Sequence, residues 1–245
     1  MKTFDKQMCT LLIAAAGKGT RLGYHAPKIL YPVAGKPILN HILESFSGLC
    51  THTVLVVSPQ GKPVIQSALQ EKEDISYAIQ RIPRGMADAV LTGLEKCTTD
   101  LCACVWGDQP FFPRDFVIAA LTMLRNNDQF SLVIPVCSRK SSYIHIAMDT
   151  ESERVSEILQ FREGDKIPEQ GTTDCSMFFF RTREMREKLE ESMNDGSLIG
   201  HKTKEYNFLP VFKKFDKVFL LNIPEKLYSS GINTQEQVAS IEKML

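Results

Sequence analysis

Five short apolar runs, most of them followed by a stretch long enough for a helix, set the tightest limit on the fold. Thr10–Ala15, Thr53–Val57, Ser76–Ile79, Leu101–Trp106 and Ser131–Val136 are aliphatic or β-branched with little polar alternation. Strands of that kind are buried on both faces, as in a parallel sheet covered by helices. Between them lie Pro37–Leu49, Pro63–Gln70, Ala87–Cys97 and Pro113–Asn126, three of which open on a proline that suits a first helical turn. The alternation predicts an α/β chain with a Rossmann-like, mostly parallel sheet flanked by helices.

The second half is less regular. Tyr143–Met148, Arg154–Phe161, Cys175–Phe180 and Val218–Leu221 read as strands, and Thr182–Met193, Lys204–Lys213 and Thr234–Leu245 as helices. No repeat or Gly/Ser/Pro-rich linker interrupts the chain. The expectation is one domain over residues 1–245, with a nucleotide-binding core at 1–137, a mixed extension at 138–217, and a closing strand and helix at 218–245.

Lys plus Arg equals Asp plus Glu at 29 each, which argues against non-specific binding to nucleic acid or to an anionic membrane surface. No apolar run is long enough to span a bilayer, and Leu11–Ala16 is too short for a signal-peptide core. The seven cysteines form no CxxC pair, and Cys102 and Cys104 alternate with apolar residues as small buried hydrophobes do. A reducing, cytoplasmic setting is expected.

Chemistry enters where the first strand ends. Leu11-Leu12-Ile13-Ala14-Ala15-Ala16-Gly17-Lys18-Gly19-Thr20-Arg21-Leu22 runs from an apolar strand into a small-residue loop. Ala and Gly let backbone N–H groups approach an anion closely, and Lys18 and Arg21 add positive charge there. In open α/β sheets such a loop lies where ligands bind. A Rossmann fingerprint would need glycine in place of Leu22, which disfavours a nicotinamide-dependent enzyme, and Lys18-Gly19-Thr20 is in the wrong order for a Walker loop. Alone, the loop is compatible with a tight strand-to-helix turn.

Gly17-Lys18-Gly19-Thr20-Arg21-Leu22, Pro27-Lys28, Pro32 and Gly35-Lys36-Pro37-Ile38 together resemble the signature of the sugar-phosphate nucleotidyltransferases, most closely the uridyltransferase domain that acts on N-acetylglucosamine 1-phosphate. The resemblance implies a glycosyltransferase-A-like fold, with Ala14, Ala15, Ala16, Gly17, Gly19 and Thr20 cradling the nucleotide. It also implies that Arg21 and Lys28 hold the triphosphate and its developing charge. Gln80-Arg81-Ile82-Pro83-Arg84-Gly85-Met86-Ala87-Asp88-Ala89 is similar to the base-reading segment, with Gln80 on a pyrimidine and Gly85 contacting it by its backbone. Met86 stands where threonine is usual. Val105-Trp106-Gly107-Asp108-Gln109-Pro110 and Gly231-Ile232-Asn233-Thr234 resemble the segments that supply the two Mg²⁺ ligands, here Asp108 and Asn233. Read without the family, Asn233 is a helix N-cap.

The acceptor half departs from the family. Ile144 stands where a sugar-facing glycine is usual, Gln160 where a glutamate is, and Asp174 lies in a segment where Asn-Thr-Gly is usual. A different acceptor is therefore expected. The resemblance does not extend to a hexapeptide-repeat acetyltransferase, so no acetyl transfer is expected. The implied reaction joins a nucleoside monophosphate from an NTP, UTP first, to a phosphorylated small-molecule acceptor. CTP with an alditol phosphate or phosphocholine, or a silent nucleotide-binding module, are the alternatives.

Overall fold

The computed structural model describes residues 9–17, 19–69, 74–149, 151–224 and 231–243. The elements run β1 (Cys9–Ala14), β2 (Pro32–Val33), β3 (Lys36–Pro37), α1 (Ile38–Phe46), β4 (His52–Val57), α2 (Gly61–Leu69), β5 (Ile75–Ile79) and α3 (Met86–Leu94). They continue with β6 (Leu101–Trp106), α4 (Arg114–Asn126), β7 (Leu132–Lys140), β8 (Ile144–Asp149), β9 (Arg154–Gln160), β10 (Gln170–Asp174), β11 (Met177–Arg181), α5 (Thr182–Asn194), β12 (Val218–Asn222) and α6 (Gln235–Glu242).

The main sheet has eight strands in the order β10-β7-β11-β6-β1-β4-β5, with β12 also paired to β7. Parallel pairing holds across β5, β4, β1 and β6, each a run of the alternating first half. Beyond β6 the sheet turns antiparallel through β11 and β10. The sheet is thus parallel across β5, β4, β1 and β6 and mixed in the extension beyond them, where β12 also pairs parallel to β7, as expected. β10 and β11 lie in line along β7, broken by Ser176 at φ 58. Gln170–Asp174 has no apolar signature and joins the sheet through main-chain pairing to β7.

Strand side chains alternate between two apolar layers. Leu101, Ala103 and Val105 face the layer made by α1, α4 and α6, while Cys102 and Cys104 face α3, α5 and the aromatic group Phe208, Phe212 and Phe215. Both cysteines are fully buried, as the sequence implied, and burial pushes their thiols up.

One expected helix is absent. Lys204–Lys213 is instead a loop ending in a 3₁₀ turn at Leu209–Lys214. Lys204 sits at φ 60, which no helix accommodates, and Ile199 bridges Tyr206 as in a short hairpin. Among the described residues, no helix is long and apolar enough to cross a membrane.

Candidate active site

A cavity of about 310 Å³ opens at the carboxyl ends of β1 and β6, the end where an open α/β sheet binds its ligands. Ala14, Ala15, Ala16 and Gly17 form one wall, Gln80 and Gly85 another, and Lys28 and Asp108 stand together at the mouth. A larger depression of about 1080 Å³ opens at the other end of β6, between Asp100 and Arg186, and none of the predicted residues line it.

Glycine makes the close approaches possible. Gly107 donates its amide to Ala14 O at 3.0 Å, and a Cβ there would lie 2.6 Å from that oxygen. Gly19, at φ 69, packs on the Lys28 backbone, where a Cβ would come within 3.2 Å of Lys28 Cα. Gly19 thus braces Lys28 from behind, and neither Gly19 nor Thr20 lines the cavity. Lys18 lies outside the described residues.

At the mouth, Lys28 Nζ donates to Asp108 Oδ2 at 2.9 Å and to Asn233 Oδ1 at 2.9 Å. Arg21 Nη2 donates to the same Asn233 oxygen at 3.1 Å. Asn233 is not the helix N-cap that the sequence suggested. Thr234 caps α6 in a capping box with Gln237, and the Asn233 amide donates to Gln237 Oε1 at 2.6 Å. That arrangement leaves the Asn233 side chain to the two cations. Ile232 N donates to Asp108 O at 2.8 Å, so the chain's last helix is docked onto the end of β6.

At the other wall, Gln80 Nε2 donates to Gly85 O at 3.1 Å and to Asp88 Oδ2 at 2.9 Å. Gly85 has φ 125, and a Cβ on it would lie 2.5 Å from Tyr206 O. Tyr206 N donates to Arg84 O and Ala87 N to Tyr206 O, so the loop before Phe208 is laced to the segment around Gly85.

That lacing brings in residues sequence reasoning missed. Arg162 and Glu205 line the cavity and pair at 3.0 Å. Beneath them Glu163, buried, accepts from Thr203 Oγ1 at 2.6 Å, Asn207 Nδ2 at 3.0 Å and the amides of Lys202 and Thr203. Burial alone would raise its carboxyl, but those hydrogen bonds outweigh it and hold the pKa down to about 2. Only the basic residue just past the β9 strand hinted at Arg162. Nothing in the sequence ties Glu163 to Thr203.

The three acceptor candidates are not part of the cavity lining. Ile144 and Gln160 pair across the β8–β9 hairpin, Gln160 is buried, and Ile144 packs on the second apolar layer. Asp174 is buried behind the site and accepts from Ser176 N at 2.9 Å. Burial pushes its carboxyl up to about 6, and the Asp108 charge adds to the rise.

Among the described residues, no cluster of three His, Cys, Asp or Glu side chains is placed to hold a metal. The donor set at the mouth is a pair: the Asp108 carboxylate and the Asn233 amide oxygen converge on one ammonium. Two oxygens around a single cation suit a hard ion that keeps most of its waters.

A cavity walled by small residues, with cations at its mouth, thus lies at the strand ends of a sheet that runs from parallel to antiparallel. The chain belongs to the MobA-like NTP transferase domain family, whose profile matches residues 11–198. It is 27% identical over 166 residues to the bifunctional protein GlmU of Chromohalobacter salexigens, a match covering 68% of this chain and 36% of that protein. The chain thus spans about a third of that relative's length, and about half of the Buchnera aphidicola GlmU, where the match covers 53%. In structure it resembles a putative glucose-1-phosphate thymidylyltransferase from Bacillus anthracis, with a TM-score of 0.73, 15% identity, and coverage of 96% of this chain and 94% of that one.

Proposed function

We propose that the protein transfers a nucleoside monophosphate from an NTP, UTP first, to a sugar 1-phosphate or a similar phosphorylated acceptor, releasing pyrophosphate. The observation that carries this reading is the mouth of the cavity. Lys28 and Arg21 converge on oxygens of Asp108 and Asn233, beside a wall of small residues that gives a phosphate chain room. Gln80 and Gly85, on the opposite wall, would meet the base.

Asp108 and Asn233 are the residues that would hold Mg²⁺, and their convergence on one ammonium supports that assignment. Bound there, the ion would withdraw charge from the triphosphate. The chain's own groups do the rest. The amides near Gly17 orient the phosphates, and Lys28 and Arg21 neutralise charge as the α-phosphate is attacked. The acceptor phosphate, its second pKa being about 6, is already nucleophilic near neutral pH, and no general base is needed. Arg162, at the cavity edge beside Glu205, is the cation that would meet that phosphate.

CTP is the second reading, because the polarity of Gln80 does not by itself say which of the two pyrimidines it selects. Both amide protons are engaged by Gly85 and Asp88, which leaves the carbonyl oxygen to the base; opposite position 3 it would suit the uracil N3–H, and opposite position 4 the cytosine amino group. A matrix of four NTPs against sugar 1-phosphates and smaller phosphate esters, followed by pyrophosphate release, tests the proposal. Release that needs both an NTP and a phosphorylated acceptor is expected. If no pair releases pyrophosphate while UTP or CTP still binds, the protein is a nucleotide-binding module instead.

A further inference from the structure

Gln80 does not sit at the cavity wall as a free amide. Its Nε2 donates to Asp88 Oδ2 at 2.9 Å and to Gly85 O at 3.1 Å, two groups that only accept. Asp88 is itself fixed: it is buried in the first turn of α3, and Arg84 donates to its other oxygen through Nε at 3.0 Å and Nη2 at 2.5 Å. Arg84 is in turn largely exposed, so the network ends in solvent on one side and at Gln80 on the other. A carboxylate bound by arginine on one oxygen presents only acceptor capacity with the second. The amide of Gln80 therefore cannot turn over without setting oxygen against oxygen at two places.

We infer that Asp88 is a positioning residue for base choice. It orients Gln80 so that only the carbonyl oxygen Oε1 meets the nucleotide, and the enzyme selects a base that turns an N–H donor towards that oxygen. The inference rests on the nucleotidyltransferase reading above and adds to it the polarity of the base edge. A base presenting an acceptor to Gln80 would face Oε1 without a proton between them, and a mismatch of that kind in a buried site discriminates by about tenfold or more.

Asp88→Asn tests it. Arg84 keeps the asparagine oxygen on its own side, which turns the new NH₂ group towards Gln80, so that Gln80 meets a donor on one side and the Gly85 carbonyl on the other and neither orientation of its amide is held. The readout is the ratio of UTP to CTP dissociation constants, measured by calorimetry in wild type and variant, with thermal unfolding alongside. The expected result is that the wild-type preference falls at least about tenfold, while the variant still unfolds cooperatively. A folded Asp88→Asn protein with the wild-type ratio overturns the inference, even if both nucleotides bind more weakly. A second measurement needs no variant: in ¹⁵N–¹H spectra, both Gln80 Nε2 protons should exchange slowly before nucleotide is added. Rapid exchange in the free protein would also overturn it. If wild type binds none of the four NTPs, the nucleotide reading itself falls and the base-edge assignment falls with it; slowly exchanging Gln80 protons would then mark that failure as one of function and not of the Asp88 contact.

Discussion

On the wall built from β1 and the loop after it, the groups facing the cavity are main chain and methyl-sized side chains: Ala14, Ala15, Ala16 and Gly17. Across from it, the edge formed by Phe161–Glu163 and residues 200–207 presents charged side chains, Arg162 and Glu205, over a buried carboxylate. The first wall is fixed by strand pairing and by glycines that let backbones touch. The second is fixed by hydrogen bonds to Glu163 between segments about 40 residues apart in sequence. A backbone wall accepts any ligand with the right phosphate chain, whereas a side-chain wall can change its partner with a few substitutions. Under the proposed function the first wall would meet the nucleotide and the second the acceptor.

The largest expected effect lies at the mouth of the cavity. Asp108→Ala should reduce turnover by about a thousandfold or more, equivalent to roughly 4 kcal/mol of transition-state stabilisation. The fold should persist, because Asp108 sits in a turn after β6 and its side chain is 28% exposed. Near-wild-type rates in the variant, or undiminished wild-type turnover in EDTA, would remove Asp108 and the ion from the mechanism.

Next comes the point at which the Arg162–Glu205 edge is stitched to the segment that carries Gln80. Gly85→Ala should weaken nucleotide binding at least about tenfold and lower stability by about 3 kcal/mol, since both φ 125 and the 2.5 Å approach to Tyr206 O exclude a Cβ. Gly48→Ala is the control. It also has positive φ, 72, but open space around it, so only backbone strain of about 1 kcal/mol is expected. Equal losses in the two variants would show that contact with the Tyr206 loop contributes nothing.

The difference between the walls also explains how much could be read from the sequence. Leu101–Trp106 and Thr53–Val57 are buried on both faces, so their composition announces them, and Gly17, Lys28 and Asp108 follow at strand ends or in adjoining turns. β10 is polar throughout and is held by main-chain pairing, which leaves no compositional trace. Phe208, Val211, Phe212 and Phe215 have spacings that suit a helical face, yet they cap a loop whose Lys204 has positive φ. The role of Arg162 depends on Glu163 meeting Thr203 and Asn207, a long-range contact that no local motif encodes. Ile144 was legible as a departure from the family, but its direction was not. A half-buried strand residue can face cavity or core, and here it packs on the core.

Glu163→Gln probes the side-chain wall alone. Losing a buried acceptor bound by two side chains and two amides should lower stability by about 2 kcal/mol at neutral pH. The sign with pH follows from the depressed folded pKa of about 2 against an ordinary value of 4.5. The unfolded chain binds the proton more tightly in that interval, so the stabilisation is fully present above about pH 5 and is lost as pH falls from 4.5 towards 2. Chemical unfolding of wild type and variant at several pH values should show the gap closing over that window. The KM for the acceptor should rise more than the NTP Kd, because Arg162 and Glu205 are the groups set loose. A gap that is constant down to pH 2 would mean Glu163 is not ionised in the folded protein.

The smallest expected effect on function belongs to Ile144→Gly. If residue 144 walled the acceptor, opening it would favour a bulky amino sugar phosphate over a small phosphate ester by about tenfold or more. The structure instead pairs Ile144 with Gln160 on a separate two-stranded hairpin and packs it against the second apolar layer. The ratio of kcat/KM values for N-acetylglucosamine 1-phosphate and glucose 1-phosphate should therefore change by less than about threefold. Stability should fall by about 2 kcal/mol, the range for removing a large aliphatic side chain from a partly buried site. Measuring both quantities on one preparation separates the cases. A lowered Tm with an unchanged ratio fits a packing residue. A shifted ratio with an unchanged Tm would return Ile144 to the acceptor site and move the boundary between the two walls across the β8–β9 hairpin.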